Sequence, residues 1–279
     1  MGRYSILDEI LKLDPVKDHQ RIGFLSASYD FPFDTTRSLE LALFRTFAVA
    51  KGSPLLAGTN EFTLRPQKRY DDTVLMLSEI LEYGYDSERG KAALRQMNRL
   101  HQRYAIPNDE FLYVLSTFIY EPIRWNARFG WRPLSEHEKM AAFYEWHEIG
   151  RRMNIKDIPA DFDEFERFNR EYEQTHFRFA ETNRQLATAT RDLFLSWFLP
   201  KPLWRFGEPF IYAMMDDRLL DAVGFPHPSQ RMRRLVEGVL KLRARLLRLL
   251  PARKQPRLVT RRKHATYPQG YTIEELGPH

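Results

Sequence analysis

Arg69 and Thr73 stand four residues apart in "KRYDDTVLMLSEIL" (68–81), and His101 falls in register with Leu94, Met97 and Tyr104 in "KAALRQMNRLHQRY" (91–104). At helical pitch the first pair shares a face with Leu77 and Ile80, so a guanidinium and a hydroxyl head an otherwise apolar stripe. A guanidinium there needs a polar partner, because a buried unpaired charge is costly. That partner is either a carboxylate, Asp71 or Asp72 or one more distant, or a bound anionic or carbonyl oxygen. His101 poses the same choice. It is either a core residue satisfied by a hydrogen bond or a ligand for something held inside, while Arg95, Arg99 and Arg103 take the opposite face.

Other constellations carry less. The eight histidines form no HExxH, HxH or twin-carboxylate signature. His147, in register with Phe143 and Tyr144, is a second candidate ligand or a residue of the core margin; His137 belongs on a solvated first turn, and His176 sits among polar residues. The chain has no cysteine, which excludes disulfides, zinc ribbons, thiolate-ligated haem and iron–sulfur clusters. Any metal must rest on His, carboxylate or Tyr.

The elements that position these residues read as helices. Segments are expected near 3–13, 36–50, 70–83, 88–104, 109–120, 135–153, 161–181, 183–198, 208–222 and 229–250, with prolines falling between them. Asp34/Thr35 and Asn108 are expected helix starts, and Ser135 opens a capping box with Glu138. No alternating strand pattern persists. With 43% apolar residues in 279, the chain is expected to fold as a single all-α, multi-helix domain. Its parts are a helical extension at 1–30, the main domain at 31–228, and a basic amphipathic helix with an extended tail at 229–279. The tail lies over the helical body or is partly disordered.

The net charge of +6 is unevenly placed, since residues 231–264 hold 13 Lys/Arg against one acid, Glu237. Within them Leu235, Val239, Leu242, Leu246 and Leu249 form one stripe, flanked by Arg234, Lys241, Arg245 and Arg248. Such a helix either lies in a membrane interface through residues 231–254 or packs its stripe onto the protein with the basic face solvated. Nucleic acid is not an expected partner, because no recognised motif accompanies the charge. No signal peptide or spanning helix is legible, so a cytoplasmic protein with at most peripheral membrane attachment is expected.

Several motifs, in order, add a resemblance. "FPF" with "ALFRTF" (31–47), "KRYDDT" (68–73), "RLHQRY" (99–104), "LYVLSTFIYEPIRW" (112–125), "MMDDRL" (214–219) and "YPQGYTIEELGP" (267–278) look like the fungal MpaB-type oxygenases. Those enzymes belong to the MpaB/rubber-oxygenase catalytic-domain family, with the bacterial latex-clearing proteins. The resemblance implies a helical fold around haem b. Arg69-x-x-x-Thr73 matches the family's haem-pocket motif, and His101, 28 residues after Thr73, matches the proximal iron ligand. Asp72 departs from the pattern, standing where latex-clearing proteins carry a lysine that closes over the iron.

On this resemblance Arg69, Asp72 and Thr73 are the expected catalytic residues. His101, Arg69 and Thr73 would hold haem, with His101 on the iron, and Glu40 and Glu61 are candidate bases. The resemblance also implies dioxygen as co-substrate and a hydrophobic, prenylated or lipid-like alkene, cleaved or hydroxylated. A haem- or lipid-binding helical protein without turnover is the alternative that Asp72 keeps open.

Overall fold

The computed structural model describes residues 2–278. Among them are fourteen α-helices, no strand, and one isolated bridge between Val49 and Phe177. The chain runs through α1 (Ser5–Ile10), α2 (His19–Leu25), a π-helical turn, α3 (Pro32–Phe47), α4 (Ser53–Gly58) and α5 (Glu61–Leu64). It continues through α6 (Pro66–Tyr83), α7 (Glu88–His101), α8 (Asn108–Phe129), α9 (Glu136–Arg152) and α10 (Phe162–His176). The last elements are α11 (Glu181–Ser196), α12 (Trp204–Tyr212), α13 (Asp217–Val223) and α14 (Gln230–Leu249). The all-α expectation is met.

Helix α8 is the central post, packed by α3, α9 and α10. It was expected to stop before Pro122 but runs on to Phe129. The proline removes one N–H, yet the turns beyond it bury Trp125 and Phe129, and Trp125 Nε1 donates to Asp34 Oδ1 at 3.0 Å. Asp34 therefore does not start α3, which begins at Pro32, but is held by Trp125 and by Arg243 of α14. The segment expected at 208–222 is two helices. Asp216 breaks it by capping α13, accepting from Leu219 N at 3.0 Å, and its other oxygen pairs with Arg45. Ser135 and Glu138 form the capping box read from the sequence.

Helices α6 and α7 make a hairpin on one side of α8, and α2 crosses the free end of that hairpin, Gln20 packing against Gly84. The tail after α14 is extended apart from one turn at Ile273–Glu275 and lies across the hairpin, with Leu276 fully buried. Helix α14 packs on the domain through Val236, Ala244 and three arginines. Arg243 reaches Asp34, Arg233 donates to Met215 O, and Arg248 donates to Trp131 O. Its leucine stripe faces outward, with Leu235, Val239, Leu242, Leu246 and Leu249 between 51% and 82% exposed. The reading in which that stripe packs onto the protein is thus overturned, because the arginines make the inward contacts instead.

Candidate active site

The side chain of Arg69 donates to Thr73 Oγ1, and the threonine hydroxyl donates in turn to Arg69 O at 3.0 Å. One turn of α6 thereby fixes the guanidinium, which also lies 4.7 Å from the centre of the Phe62 ring. Both nearby carboxylates are taken. Asp71 accepts from Gln67 Nε2 at 3.0 Å and Thr266 N at 3.0 Å, and Asp72 pairs with Lys68 Nζ at 2.9 Å. Arg69 has no carboxylate within ion-pair distance among the described residues, and burial lowers its pKa.

His101 ends α7 one helix away. Its Nδ1 is buried without a hydrogen-bond partner among the described residues, and the ring packs edge-on to Phe111 at 5.3 Å. Burial, with the Arg69 charge as second cause, lowers its pKa to about 4. The imidazole is therefore neutral at ordinary pH, with a lone pair that no donor among the described residues uses.

Arg69, Thr73 and His101 open on one cavity of about 460 Å³, within the range that holds drug-sized ligands. Its α6 wall extends from Pro66 to Glu82, about 24 Å at 1.5 Å per residue. Leu77, Met97, Phe111, Val114 and Phe118 give it an apolar lining.

The motifs converge at two places. "KRYDDT", "RLHQRY" and the tail meet behind the cavity. There Lys68 Nζ reaches Asp72, Tyr267 OH at 2.9 Å and Gly277 O at 3.0 Å, and Tyr267 OH donates to Asp72. Glu79 accepts from Tyr271 OH at 2.6 Å, and Gln96 Nε2 donates to Leu276 O at 2.6 Å. "ALFRTF", "YEPIRW" and "MMDDRL" meet at Arg45, whose guanidinium pairs with Glu121 at 2.9 Å, Glu173 at 3.1 Å and Asp216 at 2.5 Å. This second cluster is structural, since one buried cation needs several carboxylates to hold it.

Residues 47–249 match the model of the family described as ER-bound oxygenase mpaB/B'/Rubber oxygenase, catalytic domain. The chain belongs to this family. It is 30% identical over 243 residues to the ER-bound oxygenase mpaB' of Penicillium brevicompactum, covering 80% of this chain and 57% of that protein. It is also 30% identical over 217 residues to the ER-bound oxygenase mpaB of Penicillium roqueforti (strain FM164), covering 71% of this chain and 72% of the relative. The chain thus spans little more than half the length of the first of these relatives.

In this MpaB/rubber-oxygenase chain the structure brings Arg69, Thr73 and His101 together on the cavity wall. Asp72 also lies at the wall, but its carboxylate is held by Lys68 and Tyr267, joining α6 to the tail. The two candidate bases differ. Glu40 accepts from Tyr70 OH at 2.9 Å and pairs with Arg37 at 2.6 Å, and burial raises its pKa to about 7. Glu61 is paired with Arg65 at the end nearer Arg69. His147 packs on Phe143 and is not part of the cavity wall.

No group of three or more His, Asp or Glu that could hold a metal ion converges among the described residues. Iron held by side chains alone, such as two histidines and a carboxylate, lacks its donors. Haem iron asks for one axial side chain, and the unpartnered imidazole of His101 fits it. The sequence reading missed Glu145, a buried carboxylate at the cavity's other end. Its signal was there: it falls in register with Ala141 and Ile149 on the buried stripe of α9.

Proposed function

We propose that the chain is a haem-dependent oxygenase acting on an extended apolar alkene, prenylated or lipid-like, by C=C cleavage or hydroxylation. His101 carries this reading, as a neutral imidazole whose buried Nδ1 has no hydrogen-bond partner among the described residues, on the wall of a mainly apolar cavity. Haem b, held by His101, would supply the binding and activation of dioxygen.

The chain's own residues do the rest. The low pKa of His101 keeps its lone pair free across the working pH range. Arg69, locked by Thr73 and unpaired with any carboxylate among the described residues, offers a fixed positive charge to a propionate or a bound oxygen atom. The lining from Leu77 to Phe118 excludes water and holds an apolar chain in extended form. Glu40, with a pKa of about 7, is the carboxyl able to take up or release a proton near neutrality. Asp72 acts by position, holding α6 against the tail.

The outward stripe of α14 supports peripheral membrane contact through residues 231–254. Five aliphatic side chains stand in solvent with Arg234, Lys241 and Arg245 around them, the composition of an interfacial helix. Exposed Phe206 and Phe210 on α12, which packs beside α14, extend the apolar area. No helix among the described residues is long and apolar enough to cross a membrane. An apolar substrate dissolved in lipid would be reached from such a face.

A spectrum tests the haem reading. Protein purified from haem-replete cells is expected to show a Soret band that His101→Ala abolishes; colourless, iron-free protein sinks the proposal. Oxygen consumption with a prenylated alkene then separates an oxygenase from a haem- or lipid-binding protein without turnover.

A further inference from the structure

Glu145 is 4% exposed, yet no hydrogen bond or ion pair reaches its carboxyl among the described residues. Every other wholly apolar way of filling this position would avoid the cost of burying a carboxyl group, which is several kcal/mol when nothing compensates it. The group is not enclosed by packing alone, because Glu145 lines the same cavity as His101. The backbone makes room for it: Gly23 on α2 faces the carboxyl, and any Cβ there would run into Glu145 Oε2.

Its place along the cavity follows from the helices. Gln20, one turn before Gly23, packs on Gly84 at the C-terminal end of α6. Arg69, Thr73 and His101 stand towards the opposite end of that helix. Along α6 between the two ends stand Val74, Met76, Leu77 and Leu81, with Ser78 as the one hydroxyl among them. The α6 wall is therefore mainly apolar from Thr73 to the end where Glu145 lies, the complement of a long apolar chain with one polar terminus.

We propose that Glu145 binds the polar terminus of the substrate, a neutral hydroxyl or carbonyl group, while the apolar chain extends towards His101. Burial raises the Glu145 pKa to about 8, so at neutral pH the carboxyl is mainly protonated and both donates and accepts. A neutral terminus satisfies both halves of that group. The inference rests on the extended apolar substrate proposed above and narrows it to one with a hydrogen-bonding end.

Binding of 1-decanol, n-decane and decylamine to the full chain tests this, read by intrinsic tryptophan fluorescence because Trp146 lines the cavity beside Glu145. The wild type is expected to bind decanol at least about tenfold tighter than decane, the value of one good hydrogen bond. Glu145→Gln keeps that preference, since an amide also donates and accepts. Glu145→Leu reduces it to within about twofold. Gly23→Ala does the same by displacing the carboxyl, and decides the matter alone if Glu145→Leu does not fold. A preference unchanged in these two variants, or decylamine binding more tightly than decanol to the wild type, overturns the proposal. None of these titrations reads iron. A Soret band without the alcohol preference sinks this inference alone, and the preference without a Soret band sinks the haem reading alone.

Discussion

Gly277 lies directly on Leu100, the residue before His101: a Cβ on Gly277 would stand 2.5 Å from Leu100 Cδ1. Gly277 also has φ of +112°, a backbone region closed to other residues. The tail therefore presses on the end of α7 where the proposed iron ligand sits. Gly277→Ala is expected to lower stability by about 1–3 kcal/mol and to weaken haem retention. Denaturant midpoints and Soret absorbance after gel filtration check this. Unchanged haem retention would uncouple the tail from the pocket.

The Lys68–Asp72–Tyr267 cluster makes a second prediction. Asp72→Ala leaves the Lys68 ammonium, whose side chain is 19% exposed, without its carboxylate, and is expected to cost about 3 kcal/mol. Tyr267→Phe removes one hydroxyl and is expected to cost about 1 kcal/mol. Urea unfolding measures both. If Asp72→Ala cost no stability while abolishing turnover, a direct catalytic role for Asp72 would replace the positioning role.

Stability should depend on pH through Glu145 and Glu40, both raised by burial from an ordinary value of 4.5, to about 8 and about 7. The folded state holds these protons more tightly than the unfolded state. Their contribution is fully present below about pH 4.5 and is lost as pH rises through 7 and 8. Glu145→Gln is expected to flatten the decline between pH 5 and 8 and to be more stable than the wild type above pH 8. Chemical denaturation at stepped pH checks the sign; a decline unchanged in the variant contradicts it.

Turnover carries a separate prediction for Glu40. Glu40→Gln is expected to remove the limb of the pH–rate profile near pH 7 while leaving the Soret band in place. Oxygen uptake across pH provides the measurement, and an unaltered limb would move the proton-handling role to another group.

The α14 stripe is tested on vesicles. Leu242→Glu with Leu246→Glu changes two residues that are each 55% exposed, so the melting temperature should hold while binding to anionic vesicles falls at least about tenfold. Wild-type binding should weaken in high salt and on neutral vesicles. Equal binding by the variant would remove the stripe from the membrane contact.

Much of the architecture was legible in the sequence because helical periodicity is local. The helices α6 and α7, the Ser135 capping box, the shared face of Arg69 and Thr73 and the register of His101 each follow from spacing within a single helix. Where a distant partner decided the matter, spacing misled. Pro122 reads as a stop, but burial of Trp125 and Phe129 carries α8 past it; Asp34 reads as a helix start, but Trp125 and Arg243 hold it.

By itself the sequence determined the helical class, the family, and which residues could meet a bound group on the α6 and α7 faces. Only the tertiary structure decided what those residues have as partners. Asp71 and Asp72, one and two residues beyond Tyr70, were equally available to Arg69 on paper; the tail, arriving from some 195 positions away, takes both and leaves the guanidinium to the cavity. The leucines of α14 were equally able to face in or out, and the arginines' inward bonds turned them outward. Periodicity sets the direction of a side chain relative to its own helix; what waits there depends on contacts between segments far apart in the chain.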